Sequence, residues 1–566
     1  MKTMTPQNSL YPDAYLLSPQ PPEGAMLDEN VYVKMRDGIR LCVDVYKPAR
    51  TGRYPVLLSL SPYSKDIQQQ PPQWSHAIES GATGFYVSHG YIHVIAQGRG
   101  CGRSQGEWRW FDDKERTDGY DLIEWIAQQP WCDGNVGMIG DSYWSWSQYF
   151  AAAAQPPHLR CICQCDGTTD LYRDAVYPGG IFNAGFINQW IGYHTAMAAW
   201  PGAVEGKEPP MNLHWEIVNR PTDSTWWQER SARTYLDKIN VPVMSIAPQG
   251  GQMHFRGQLA GYPEIEAPKK LLIVPPSGFW SHVRYLTNKS LNLQMLRWFN
   301  HWLKGIDTGI MEEPAVAIFD SGARTWSYER EYPIGRTQWT RFYLSRDLIG
   351  ESPPDTDDNP DKYRLPDSYE QLIAGKPVLS YRTPPLDKPL QLAGPMSLAL
   401  YASSSQIDTL WFVNILDVAL DGRATPISRG MLRASFRAVD DGRSKPGQPW
   451  HPFTDMEPLE PGKVTEFQIE LRPVFHTFKK GHRLQLTIAS EDINFTNPLR
   501  NIDVQLLPWP VENAVHHSIV YPSHLFLPVI PAASEIEPVK APISEIDWPM
   551  VPGQWMPDTE GYPLKR

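Results

Sequence analysis

At 566 residues and 64.4 kDa the chain is too long for one hydrophobic core and is expected to hold two or three domains. With 41% hydrophobic and 20% charged residues it is neither disordered nor a coiled coil, and its 54 prolines imply many short strands and proline-broken loops. A formal charge of -11 leaves no basic stripe to neutralise phosphates, which argues against nucleic acid and for a small-molecule substrate.

The opening residues, MKTMTPQNSLYPDAYLLSPQPPEG, lack the unbroken apolar core of a signal peptide, and no run of eighteen apolar residues follows. No membrane association and a cytoplasmic location are therefore expected. VYVKMRDGIRLCVDVYKP reads as a hairpin turned at Asp37-Gly38 in a type I′ turn. Buried-looking strands follow at 54–60, 91–96, 135–140, 159–165, 241–247 and 270–275, with helices predicted at Asp118 to Gln129 and Ser145 to Ala154. Strand and helix in alternation argue a mostly parallel, doubly wound sheet. About seventy-five residues separate Cys165 from Val241, and the aromatic segment Phe182 to Trp200 within them reads as part of a helical cap. Beyond Pro314 short alternating runs predict a β-sandwich or jelly roll. The expected limits are a catalytic domain over 25–167 and 238–318, a cap over 168–237, a jelly roll over 319–545 and an extended tail over 546–566.

The segment Val136-Gly-Met-Ile-Gly140-Asp-Ser142-Tyr-Trp-Ser145 carries the chemistry. An apolar strand runs into a serine and then a helix, the setting of a nucleophile elbow, where a sharp turn exposes the serine and crowds its neighbours. Gly140 meets that crowding before Ser142. Trp144 stands where a second glycine is usual, and Ser145 follows as the small residue. The start of the helix offers the Tyr143 amide and a favourable dipole to a developing oxyanion.

Further segments match one family in order. The MRDGIRLCVDVYKP opening, Pro62-Tyr63-Ser64-Lys65, GRGCGRSQGE (98–107), Glu124-Trp125, Gly140-Asp-Ser142-Tyr143, DLYRD (170–174), FWSH (279–282), HWLKG (301–305) and FKKGHRL (478–484) resemble the CocE/NonD-type serine hydrolases. That group includes cocaine esterase, X-prolyl dipeptidyl-peptidases and α-amino-acid ester hydrolases. The resemblance implies an α/β-hydrolase domain with a helical cap and a C-terminal jelly roll. It implies Ser142 as nucleophile, His282 in Trp-Ser-His as base, and the Tyr63 hydroxyl as a second oxyanion donor beside the Tyr143 amide. Better-known members carry their acid in a Gly-Trp-Tyr-Asp turn, whereas this chain has Ala247-Pro-Gln-Gly-Gly-Gln-Met-His254 with no carboxylate. The acid is expected one strand earlier, at Asp166 after LRCICQC, with Asp170 as the alternative. His254 is left between a role in the site and packing.

Trp144 and Trp190 are expected as walls of the substrate pocket. Cys161, Cys163 and Cys165 alternate on a strand and read as buried thiols, not a metal site. His516, His517 and His524 read as solvated loop histidines, and the arginines of GRGCGRSQGE as pins for a loop beside the elbow. No metal or cofactor is required. The expected activity is cleavage of an ester or amide through an acyl-enzyme, esterase- or acylase-like. An X-prolyl dipeptidyl aminopeptidase is the alternative, its ammonium pocket built from Glu205, Glu208, Glu216 or Asp223, and a silent hydrolase-fold binding protein is a third reading. Self-association as a homodimer stays open.

Overall fold

The computed structural model describes residues 23–66, 79–200, 202, 204–250, 253–275, 288–365, 378–491 and 510–531. Ten strands form the first sheet: β1 (Met26–Lys34), β2 (Arg40–Lys47), β3 (Tyr54–Ser61), β4 (Ile92–Gln97), β5 (Cys132–Asp141), β6 (Leu159–Cys165), β7 (Val243–Pro248), β8 (Lys269–Val274), β9 (Val316–Asp320) and β10 (Thr325–Glu329). Their order is β1-β2-β4-β3-β5-β6-β7-β8-β9-β10, with β4, β3 and β5 to β9 parallel. The reversal of strand order around β3 and β4 places a crevice at the carboxyl edge, where doubly wound sheets bind ligands.

Side chains on a strand alternate between faces, so each side of the sheet carries its own helices. On one side α2 (Asp113–Ala127) and α3 (Tyr143–Ala153) bury Leu122, Ile126 and Ala152 against Leu58, Leu60 and Met138. On the other, α1 (Thr83–Ser88) and the late helix Lys289–Lys304 cover Leu57, Ile139, Cys161, Cys163 and Cys165. The three cysteines thus share one face and are free, buried thiols. Capping sets the helix ends: Asp112 accepts from the Lys114 and Glu115 amides, and Gly305 closes Lys289–Lys304 in the left-handed region at φ 64°.

Two details differ from the sequence reading. Only Gly38, at φ 94°, is left-handed in the β1–β2 connection, and the Gly38 amide donates to Met35 O at 2.9 Å. This is a tight turn followed by a glycine bulge, not a type I′ turn, because type I′ needs a positive φ at Asp37 as well. The first sheet also runs past 318 to Glu329, since β9 joins β8 in parallel and β10 folds back on β9 as a hairpin.

Between β6 and β7 lies the cap, with a π-helical turn at Leu171–Val176, then α4 (Ala184–Ala199), α5 (Leu213–Val218) and α6 (Thr225–Glu229). Next come α7 (Phe255–Gly261) after β7 and Lys289–Lys304, now α8, after β8. The second domain is mostly sheet. Leu390–Ser404 pairs antiparallel with Thr465–Phe478 on one side and with Glu512–His516 and His524–Ile530 on the other. His516 and His524 lie on these strands, and His517 is fully buried with Nε2 3.0 Å from Asp361. They are sheet histidines, and of the three only His517 is turned fully inward.

The domains are pressed together. Gly179 in the cap has φ 61°, and a Cβ there would lie 2.1 Å from Met431 O in the second domain. Gly179→Ala combines backbone strain with an interdomain clash and is expected to cost about 2–4 kcal/mol. Calorimetry would read this as a lowered melting temperature, and an unchanged one would show that the interface yields there.

Candidate active site

Strands β5 and β6 end side by side with Asp141 opposite Cys165, so the chain turns off both at the same level of the sheet. The next residues, Ser142 and Asp166, both have left-handed φ, 56° and 50°. Ser142 has ψ -121°, and its amide donates to Cys165 O at 3.2 Å, tying the two turns together. Its carbonyl starts α3 by accepting from the Ser145 and Trp146 amides, both at 2.9 Å. A serine held this way is strained by about 1–3 kcal/mol and points out of the helix start. It is half-buried, while Asp141 and Tyr143 on either side are buried.

Close packing explains the small residues. A Cβ on Gly140 would sit 2.3 Å from Trp144 Cβ, and one on Gly167 would sit 2.3 Å from Ser145 Oγ. The second small position of the elbow is therefore met across the turn, by Gly167 after Asp166 facing Ser145. Trp144 itself is buried, its ring 6.4 Å from that of Tyr63.

Tyr63 follows β3 and is held from behind. The Lys65 ammonium, wholly buried, pairs with Asp44 at 2.8 Å and Asp66 at 2.9 Å, which fixes the turn that carries Tyr63. The Tyr63 hydroxyl accepts from Trp190 Nε1 at 3.2 Å. An indole N–H only donates, so the phenol directs its own proton to another acceptor. Burial, with the nearby Glu79 charge, pushes the phenol well above its usual range, which keeps it a donor.

Asp166 is buried, and its Oδ2 lies 2.9 Å from His254 Nδ1. His254 stands at the head of α7, shortly after β7, and Trp146 meets its ring edge-on at 5.2 Å. Asp170, the other candidate acid, is turned elsewhere: Arg173 and Arg233 hold it at 3.1 and 2.6 Å and also bind Asp223. The nearby arginines hold it down at about 2 against the opposing pull of burial. Its contacts among the described residues fasten the cap. His282 lies outside the described residues, in the 276–287 stretch between β8 and α8.

Two buried groups were not read from the sequence. His194 on α4 stacks on Trp108 at 5.3 Å and lies 4.7 Å from the Tyr63 ring and 4.0 Å from Trp190. Glu115 on α2 accepts from Tyr143 Oη at 2.8 Å and from the Phe111 amide, behind the residue that follows the serine. Neither stands in a recognisable motif, because both are assembled by helices packing from different parts of the chain. Arg99 of the glycine-rich loop binds Asp118 at 2.6 Å and Asp37 at 2.8 Å, pinning that loop to α2 and the first hairpin.

The cap carboxylates do not converge. Glu205 and Glu208 are exposed, Glu216 pairs with Arg220 at 2.5 Å, and Asp223 belongs to the arginine cluster. A cavity of about 60 Å³ lies between the domains instead, lined in part by Arg173, Arg256, Trp450 and Glu470, and none of the described candidate catalytic residues lines it. No metal-binding group of His, Cys, Asp or Glu occurs among the described residues, and no described helix is long and apolar enough to cross a membrane.

Comparison with known proteins gives two family models in succession. Residues 37–284 match the X-Pro dipeptidyl-peptidase (S15 family), and 308–525 match the X-Pro dipeptidyl-peptidase C-terminal non-catalytic domain. The chain is 27% identical to a putative serine esterase of Mycobacterium bovis, over 88% of this chain and 95% of the other. It is also 27% identical to the cocaine esterase of Rhodococcus sp., over 88% and 98%. The crystal structure of a CocE/NonD family hydrolase from Staphylococcus aureus superposes with a TM-score of 0.80 at 22% identity, covering 89% of this chain and 94% of that one, a likeness of fold.

Burial, with the Asp112 charge, lifts the Glu115 carboxyl to about 8 from an ordinary 4.5. The folded protein therefore holds a proton that the unfolded chain gives up, and stability is lost as pH rises from about 4.5 through about 8. Glu115→Gln, which stays neutral, should gain melting temperature relative to the parent as pH goes from 5 to 9. An offset that does not change with pH would mean that Glu115 is ionised throughout.

Proposed function

The chain is a serine hydrolase of the CocE/NonD type, and on that footing we propose that it cleaves an ester or amide bond by an acyl-enzyme route carried by Ser142, His282 and Asp166. The observation that carries the reading is a serine in strained, left-handed backbone at a strand-to-helix turn, its amide bound to the end of the neighbouring strand from which Asp166 leaves.

Ser142 Oγ attacks the carbonyl carbon while His282 takes its proton and delivers it to the leaving oxygen or nitrogen. Water then attacks the acyl-enzyme with His282 again as base, and Ser142 recovers its proton as the acid departs. Asp166 fixes the histidine's tautomer and stabilises the imidazolium. His254, bound to Asp166 Oδ2, steadies that carboxylate in place of the missing acid turn. The Tyr143 amide and the Tyr63 hydroxyl receive the oxyanion, and Trp190 keeps the Tyr63 proton aimed by donating to its oxygen. Trp190 and Trp144 bound the acyl side of the pocket.

An ester or acyl-amide substrate is favoured over an X-prolyl peptide. An N-terminal ammonium needs converging carboxylates, and the four cap acids are scattered or neutralised. We read the second domain as a jelly-roll sandwich, since its central strand Leu390–Ser404 buries alternate residues and pairs on both edges. The six free thiols favour a reducing, cytoplasmic setting.

A fluorophosphonate probe should label the purified protein and not its Ser142→Ala variant. In turnover assays p-nitrophenyl acetate and butyrate should outrun Gly-Pro-p-nitroanilide, and the opposite ranking would transfer the chain to the dipeptidyl-peptidases. Tyr63→Phe should lower kcat about 10²-fold. Asp166→Asn should lower it by about 10³–10⁴-fold, while Asp170→Asn should lower melting temperature far more than kcat. Equal kinetic losses at Asp166 and Asp170 would remove the acid assignment.

A further inference from the structure

Two segments hold the candidate acid. Asp166 to Asp174 leaves β6, and His254 to Gly257 opens α7. A chain of charged contacts ties both to the second domain. Glu470, on Thr465–Phe478, accepts from Arg256 Nε and Nη2, both at 3.0 Å. Arg256 stands two residues after His254 and donates through Nη1 to Asp174 Oδ1 at 3.1 Å. Asp174 Oδ2 in turn accepts from Thr168 Oγ1 at 2.5 Å, two residues beyond Asp166. Thr169 Oγ1 closes the loop by donating to Gly257 O at 2.6 Å.

This junction has little room to drift. A Cβ on Gly257 would lie 2.0 Å from Asp174 Oδ2 and 2.2 Å from Thr168 Oγ1, so the two segments touch backbone to side chain. The Asp174 carboxyl is buried and that of Glu470 half-buried, and the guanidinium reaches one oxygen of each with separate nitrogens. A planar fork between two carboxylates fixes direction as well as distance, which a lone ammonium would not. The head of α7 also packs on the second domain through Phe255 and Phe475, ring centres 6.0 Å apart. Position at the head of α7 sets where His254 meets Asp166, and the conformation of 166–168 sets where the carboxylate points.

We propose that the second domain takes part in the reaction: Glu470, acting through Arg256 and Asp174, is a positioning residue for the Asp166–His254 pair. The proposal rests on Asp166 being the acid that orients the catalytic histidine. Loss of the Glu470 charge leaves substrate contacts untouched and lets the acid turn away, so the effect falls on kcat and not on KM.

The test is a double-mutant cycle on the full chain with p-nitrophenyl acetate, using Glu470→Gln, Asp166→Asn and both together. Glu470→Gln should lower kcat about tenfold with KM within twofold. In the Asp166→Asn background the same substitution should change kcat less than twofold, because the group through which it acts is gone. Circular dichroism and melting establish that each protein is folded. If Glu470→Gln does not fold, Glu470→Asp takes its place, keeping the charge but withdrawing it by one methylene. A folded Glu470 variant with parental kcat, or the same tenfold loss in both backgrounds, overturns the positioning role while the acid assignment stands. An Asp166→Asn loss below tenfold removes the acid assignment, and the proposal falls with it.

Discussion

The register between β5 and β6 is the constraint on which the site depends. With Asp141 opposite Cys165, two parallel strands stop together, and the residues that follow leave the sheet in left-handed backbone. One strand end delivers a hydroxyl and the other a carboxylate, and the Ser142 amide bound to Cys165 O locks the two. A slip of one residue in either strand would send its side chain to the opposite face of the sheet from the other.

Around that register the molecule brings in a third and a fourth element. Tyr63 arrives from the end of β3, which pairs with β5, and is held by the buried Lys65, Asp44 and Asp66 group. A buried ammonium between two carboxylates is costly to break and therefore specifies one geometry for the turn. The cap reaches the same phenol through Trp190, and His194 completes the aromatic lining. Chemistry at the sheet edge and cover from the cap thus meet on a single hydroxyl. The cap in turn is fastened by Asp170 and Asp223 with Arg173 and Arg233, so those two carboxylates are spent on structure.

His254 links the ends of two strands. The segment after β7 contributes no carboxylate, yet it still reaches the site and grips the carboxylate supplied by β6. The interdomain contacts of Arg256, two residues on, make the mostly-sheet domain a wall of the same arrangement and not a separate appendage.

The order of strands and helices, the elbow at Ser142, the buried thiols and the two-part division were legible in the sequence, because each depends on local periodicity, on glycine where the backbone is crowded, or on a motif of adjacent residues. Asp166 and Asp170 follow the same strand within five residues, and their different surroundings were not legible there: the arginines at 173 and 233 bind Asp170, while His254 meets Asp166. The contact of His254 with Asp166, the bond from Trp190 to Tyr63, the burial of Glu115 and His194, and the link from Glu470 to the acid segment join residues from 28 to more than 200 positions apart. Such contacts leave no periodic or local trace in a chain, and it took the packing of cap, sheet and second domain to decide them.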